Sequence, residues 1–270
     1  MNWQTRQGFL GPDSSARLMR CHIGFVGIGG GGSHSVQQAS HVGFGFMTGV
    51  DPKHAKAVHL NRLVGITHGD VKKRTPKTEI ARRTALTINP KIIFRPYVKR
   101  WQEVLPALRE CNVIIGAVDG FGQRDELERF CRSNLIPYID VGMDVQKHGR
   151  QFYITGQVAM SLPGEPCMRC MGLIADHRVA EEAQRYGDAG DNPQVVWANG
   201  VLASTAIGLS VQLTTPWHDE KPRAALLEYD GNTGTVTSSR ALEFLRGHGC
   251  SHHPVEDVGM PGFDVRSLRC

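Results

Sequence analysis

Gly27, Gly29 and Gly32 stand at GxGxxG spacing at the end of the apolar run CHIGFVGI (21–28), with Gly30 among them and Ser33 behind. That spacing suits phosphate. The first glycine permits a tight turn, the second a close backbone approach to an anion, and the third close packing of helix on strand, while the helix N-terminus faces the negative charge. Asp51 ends the next apolar run, about 20 residues further on, where a carboxylate accepts hydrogen bonds from ribose hydroxyls. These residues alone do not separate a dinucleotide from ATP. Arg62, Lys77, Asp119 and Arg124 fall just beyond expected strand ends or at helix starts, on the carboxyl side of the sheet where open α/β folds bind ligands. Cations with one carboxylate suit a triphosphate and its Mg²⁺. A dehydrogenase needs a proton donor and a dry hydride pocket, for which no convincing residue stands out.

A second set of residues suits a metal. Cys167 and Cys170 form a CxxC, and HGCSHH follows at 248–253. Zinc takes four N or S donors in a tetrahedron, so Cys167, Cys170, Cys250 and His253 supply a Cys₃His set, with His252 the alternative fourth ligand. Four protein donors leave no open position, which makes the site structural. A redox CxxC is the competing reading. Cys21, Cys111 and Cys131 abut or enter regular elements and read as core thiols, and Cys270 as a free one.

The elements that must position these groups follow from hydrophobic pattern. Apolar runs CHIGFVGI, GFMTGVD, IIFRPYV, NVIIGAVD and IPYIDVG alternate with helical stretches, which predicts a Rossmann-like, doubly wound and mostly parallel sheet. Thr75 caps a helix starting at Pro76, with Ile80, Ala81, Thr84, Ala85 and Ile88 on one face and Asn89-Pro90 ending it. After residue 150 the alternation in QFYITGQVAM and the hairpin ALLEYDGNTGTVTSS, turning at 232–234, predict antiparallel strands. Residues 197–213 read as a buried helix, and 176–193 as an exposed, partly helical, mobile connection. One domain over 1–270 is expected, with a nucleotide-binding half (1–150) and a zinc-clamped, substrate-binding half (151–270).

The chain has 270 residues, 40% hydrophobic and 21% charged, which excludes a disordered chain or a disulfide miniprotein. A formal net charge of +5 suits anionic ligands and is too small to argue for nucleic acid alone. No run of about 18 apolar residues and no leader-like N-terminus is evident, so a cytoplasmic location without a membrane is expected.

Further motifs run through the whole chain: Arg6-Gln7, GIGGGGS at 27–33, HLNR at 59–62 with Asn61 before Arg62, Thr75-Pro76-Lys77 leading to INP, Val118-Asp119 followed by Arg124, CMRC at 167–170 and NGVLAS at 199–204. Together they resemble the adenylyltransferase family of ThiF, MoeB, HesA and the ubiquitin-activating enzymes. The resemblance implies that Asp51 holds ribose, Asn61 and Arg124 join the glycine loop in nucleotide binding, Arg62 and Lys77 neutralise phosphates, and Asp119 holds Mg²⁺. It implies that Arg6 reaches the γ-phosphate of a neighbouring subunit, hence a homodimer. Its cofactors would be ATP, Mg²⁺ and Zn²⁺, and its partner a ubiquitin-like or sulfur-carrier protein ending in glycine, activated as an acyl-adenylate.

Three departures qualify the resemblance. His59 replaces the usual Asn at the head of the HLNR element, and Lys53 stands where a second acid is expected. Residues 171–200 contain no cysteine, so adenylation without an obligatory loop-cysteine thioester is expected, leaving Cys131 and Cys270 as the thiols to test. Competing readings are activation of a carboxylate on modified tRNA or a short peptide, an NAD-dependent oxidoreductase, and a non-catalytic binding module.

Overall fold

The computed structural model describes residues 3–184, 193–218, 223–245, 249–253 and 258–259. A short helix α1 (Ser14–Arg20) leads into β1 (His22–Val26), and α2 (Gly30–Val42) carries the chain to β2 (Phe46–Val50). Helices α3 (His68–Lys73) and α4 (Lys77–Ile88) precede β3 (Ile93–Tyr97), α5 (Leu105–Arg109) precedes β4 (Val113–Gly116), and α6 (Phe121–Ser133) precedes β5 (Tyr138–His148). Strand β6 (Gln151–Ser161) returns at once. Then come α7 (Asp176–Gln184), α8 (Val196–Thr214), β7 (Ala225–Asp230), β8 (Thr235–Ser238) and α9 (Ala241–Leu245).

The eight strands among the described residues join one sheet in the order β3-β2-β1-β4-β5-β6-β7-β8. The pairings from β3 through β5 are parallel, and β5-β6, β6-β7 and β7-β8 are antiparallel, as the change of pattern after residue 150 predicts. Alternate residues of the central strands feed two cores. Ile23 and Phe25 join Val36 and Ala39 of α2 and Leu202 of α8 on one face, while Val26 and Ile114 join Leu108 of α5 and Leu127 and Phe130 of α6 on the other. Both faces being covered, β1 and β4 read as continuous apolar runs. The chain leaves β1 toward β2 and later resumes on its other side at β4. The topological switch therefore lies at the carboxyl ends of β1 and β4, where a ligand crevice forms.

Three elements differ from expectation. Helix α4 begins at Lys77, because Pro76 keeps an extended ψ of 139° while bridging His54, and Lys77 N–H donates to Lys53 O. Strand β5 runs past its apolar stretch to His148, since β6 pairs every residue down to the turn at Gly149, whose φ is +62°. Helix α8 buries Ala198, Leu202 and Ala206 yet exposes Val196 and Trp197 at its start. It is long and apolar enough to cross a membrane, but half of it is buried, packed on α2, β5 and β6 as a core helix would be. Of the 176–193 connection, α7 is helical as expected, and 185–192 lie outside the described residues.

The segment bearing Arg62 and Lys77 is braced at Asp70. Thr67 Oγ1 accepts from Asp70 N–H at 3.1 Å, Thr67 N–H and Oγ1 donate to Asp70 Oδ2, and Arg83 of α4 grips both Asp70 oxygens at 2.8 and 2.7 Å. The Arg83 guanidinium holds the Asp70 carboxyl well below the usual carboxylate range. Because Arg83 is half exposed, solvent screens part of this attraction. Asp70→Ala should lower unfolding stability in urea by about 1–2 kcal/mol at pH 7. A depressed carboxyl stabilises above its unfolded pKa, so the gap between wild type and variant should close as pH falls below about 4.

Candidate active site and metal centre

The glycine loop leaves β1 with each glycine answering a different demand. Gly27 has φ +88°, and a Cβ there would lie 2.4 Å from Ala117 O. A Cβ on Gly32 would lie 1.9 Å from Gly27 O, and one on Gly30 2.6 Å from the Asn199 amide. Gly29, the N-cap of α2, faces open space, and no side chain caps that helix. The free N–H groups at the start of α2 therefore make an anion seat.

Asp51 and Lys77 meet beside this seat, each only 5% exposed. Asp51 Oδ2 accepts from Ile28 N–H at 2.8 Å and lies 3.8 Å from Lys77 Nζ, while Oδ1 accepts from Lys53 N–H at 2.7 Å. Burial pushes the Lys77 ammonium pKa down, and the Asp51 charge opposes that shift. His59 is buried too, and burial with Lys77, Arg62, Lys56 and Lys53 around it takes its pKa down to about 4. Its Nδ1 accepts from Lys56 N–H at 3.0 Å, which puts the proton of the neutral ring on Nε2. A neutral imidazole offers one N–H donor, where the amide expected there would offer two.

Across the loop, Arg124 at the start of α6 donates to Asp140 Oδ2 at 3.1 Å and to Val118 O at 3.3 Å. Tyr138 OH donates to Asp140 Oδ1 at 3.0 Å, and burial raises the Asp140 pKa against the pull of Arg124. The sequence reading did not single out this buttress, although an acid inside the apolar run YIDVG was its signal. Asp119 is exposed and pairs with Lys53 at 3.1 Å.

Two expected contacts take other roles, and a third, Arg6, stands away from the site. Ser33 Oγ donates to Gly30 O at 3.0 Å and accepts from Val64 N–H at 3.0 Å, so its single proton ties the loop together rather than pointing at phosphate. Asn61 Oδ1 accepts from Arg62 Nη1 at 2.9 Å, which also donates to Val58 O at 2.7 Å, and Asn61 Nδ2 donates to Gln194 O at 3.2 Å, so Asn61 ties Arg62 to residue 194. Arg6 is exposed in a 3-10 turn whose neighbours Gln4 and Gln7 bond to Val42 and His41. That is the far end of α2, about 20 Å from the seat, so Arg6 does not join the site of its own chain.

The metal donors also come together. Cys167 Sγ lies 3.6 Å from Cys170 Sγ and 3.6 Å from His252 Nδ1, and Cys170 Sγ lies 3.7 Å from Cys250 Sγ and 3.3 Å from His252 Nδ1. A zinc tetrahedron with bonds of about 2.0–2.3 Å has edges of about 3.3–3.8 Å, so this donor set fits zinc. The expected fourth ligand is corrected: His252 closes the set, while His253 turns inward to a second group with Glu128 and Cys167. His253 Nε2 is 3.9 Å from Glu128 Oε2, and neither atom has a hydrogen-bond partner among the described residues. Burial lifts the Glu128 pKa to about 7 and lowers that of His253 to about 4.

A family model described as ThiF family matches residues 2–251. The chain belongs to the ThiF family. It is 30% identical over 164 residues to the SAMP-activating enzyme E1 of Haloferax volcanii, covering 60% of this chain and 57% of that protein. It is 30% identical over 148 residues to the tRNA threonylcarbamoyladenosine dehydratase of Haemophilus influenzae, covering 52% and 56%. To the sulfur carrier protein ThiS adenylyltransferase of Bacillus subtilis it is 25% identical over 165 residues, covering 60% and 47%. The matches span about half the length of these curated relatives. Among solved structures, Escherichia coli MccB with ATP shares the fold at TM-score 0.72 and 18% identity, over 88% of this chain and 71% of that one.

In this ThiF-family chain, purified protein should carry about one zinc per chain by elemental analysis. His252→Ala should lower that content, whereas His253→Ala should retain it. Full zinc in His252→Ala together with loss in His253→Ala would restore the original assignment.

Proposed function

We propose that the chain is an ATP-dependent adenylyltransferase that activates the C-terminal carboxylate of a ubiquitin-like or sulfur-carrier protein ending in glycine. The observation that carries this reading is the buried Asp51–Lys77 pair beside the uncapped start of α2. The partner carboxylate attacks the α-phosphorus of ATP, a new carboxyl O–P bond forms, and the bond to the bridging oxygen breaks as pyrophosphate leaves. Asp51 accepts the ribose hydroxyls. Lys77 and Arg62 face the phosphates, whose charge grows and shifts in the transition state, so fixed cations there speed the step rather than merely tighten binding. Mg²⁺ on Asp119 would supply charge neutralisation for the leaving pyrophosphate.

A thioester on this enzyme is not part of the proposal. The 171–200 connection has no cysteine, and Cys131 is fully buried, which pushes its thiol pKa well above the ordinary value. Cys170 stands in the donor set for zinc, and Cys270 lies outside the described residues. A homodimer in the cytoplasm is the assembly we propose, with Arg6 serving the partner's site. Its position at the far end of α2 agrees with such a role.

The named relatives also favour a second substrate class. One is a tRNA-modifying dehydratase, and the fold is that of MccB, solved with the peptide MccA. A carboxylate on modified tRNA or a short peptide would use the same cations. An NAD-dependent oxidoreductase has less support, because a buried lysine against the ribose acid serves a phosphate better than a hydride.

Lys77→Ala should reduce ATP–pyrophosphate exchange by about 10²- to 10³-fold. Wild-type exchange in that variant would remove Lys77 from the chemistry. Exchange stimulated by RNA and not by a carrier protein would move the substrate to tRNA. Calorimetry showing NADH binding without Mg·ATP binding would favour the oxidoreductase.

A further inference from the structure

Lys53 follows β2 and Asp119 follows β4, and β1 lies between those strands. Neighbouring strands are about 4.8 Å apart, so the two loops stand about 10 Å from each other. Their contact, Lys53 Nζ to Asp119 Oδ2 at 3.1 Å, therefore crosses the carboxyl end of β1, where the glycine loop emerges. The Lys53 main chain is fixed there, its N–H on Asp51 Oδ1 at 2.7 Å and its carbonyl accepting from Lys77 N–H at 3.2 Å. Only the side chain is left to move. The two side chains are 58% and 69% exposed, and an exposed pair of this kind is worth a factor of about five at most. It yields readily to better partners.

Mg·ATP brings a better partner for each group, a divalent cation for the carboxylate and a phosphate for the ammonium. Metal-free ATP brings only one. We propose that the Lys53–Asp119 pair is a latch over the phosphate seat that admits ATP together with its metal and discriminates against free ATP. Opening leaves Asp119 on the metal and Lys53 on the phosphates, which makes Lys53 a specificity-determining residue. This rests on the adenylyltransferase reading. No covalent step is involved.

The test is calorimetry of ATP binding in magnesium-free buffer, without chelator, to wild type, Lys53→Ala, Asp119→Asn and the double variant. Both side chains are exposed, so each variant keeps the fold. Removing the Asp119 charge frees Lys53 and also relieves direct repulsion of the nucleotide, and the cycle separates the two. Asp119→Asn should tighten metal-free ATP binding by about five- to tenfold when Lys53 is present and by about twofold when it is alanine. Lys53→Arg should keep the larger factor. Equal factors in both backgrounds would overturn the latch while leaving the adenylyltransferase reading intact. Failure of wild type to bind Mg·ATP would sink that reading and the latch with it.

Discussion

The site is organised by a carboxylate and an ammonium that the fold keeps out of water together. At 3.8 Å and an effective dielectric near 20, Asp51 and Lys77 attract by about 4 kcal/mol. Removing both from water costs several kcal/mol per ion. The pair alone does not break even. What holds it is its backbone: Ile28 N–H donates to Asp51 Oδ2 and Lys53 N–H to Oδ1, and Pro76 at the N-cap starts α4 so that Lys77 faces inward. Ile28 belongs to the glycine loop, so the anion seat, the acid and the lysine are joined through one carboxylate.

That junction also governs the charge state of the neighbourhood. Lys53, Lys56, Arg62 and Lys77 surround His59, and a proton on its ring would add another positive charge to a buried position. The ring stays neutral well below pH 7, its tautomer set by Lys56 N–H. Substitution of the usual amide by histidine thus keeps one acceptor, taken by Lys56 N–H, and one of the amide's two N–H donors. Substitution of the usual acid by Lys53 is different, since it reverses a charge at the mouth of the crevice and gives Asp119 a partner.

Much of this was legible in residue order. The glycine spacing, the strand-end acid and the helix-start lysine report local backbone demands, and each falls where its pattern places it, as do the parallel half and the antiparallel half of the sheet. Less legible were contacts that depend on rotamer and on distant chain. Ser33 looks like a phosphate ligand until Val64 N–H takes its oxygen and Gly30 O its proton. Asn61 looks like a nucleotide contact until Gln194, far along the chain, claims its amide. His252 and His253 are equally placed by spacing. Only the burial of Glu128 on α6 distinguishes which ring turns inward.

Helix α6 connects the Cys/His cluster to the crevice at the carboxyl ends of β1 and β4. Arg124, Glu128 and Arg132 recur at helical spacing and so share one face. Arg124 meets Asp140 at the nucleotide end. Glu128 Oε1 accepts from Met168 N–H inside the CxxC turn at 2.9 Å, and Arg132 donates to Ser161 Oγ, Leu162 O and Glu165 O just before it. Asp125, beside Arg124, grips Arg169 between the two cysteines. A helix is stiff along its axis, so fixing the CxxC turn fixes the height of α6 and with it the reach of Arg124. With zinc bound, a Cys₃His set would carry one negative charge fewer than four thiolates, which would ease the burial of Glu128 beside it. The Cys/His cluster and the crevice beside the glycine loop thus stand at opposite ends of one rigid rod.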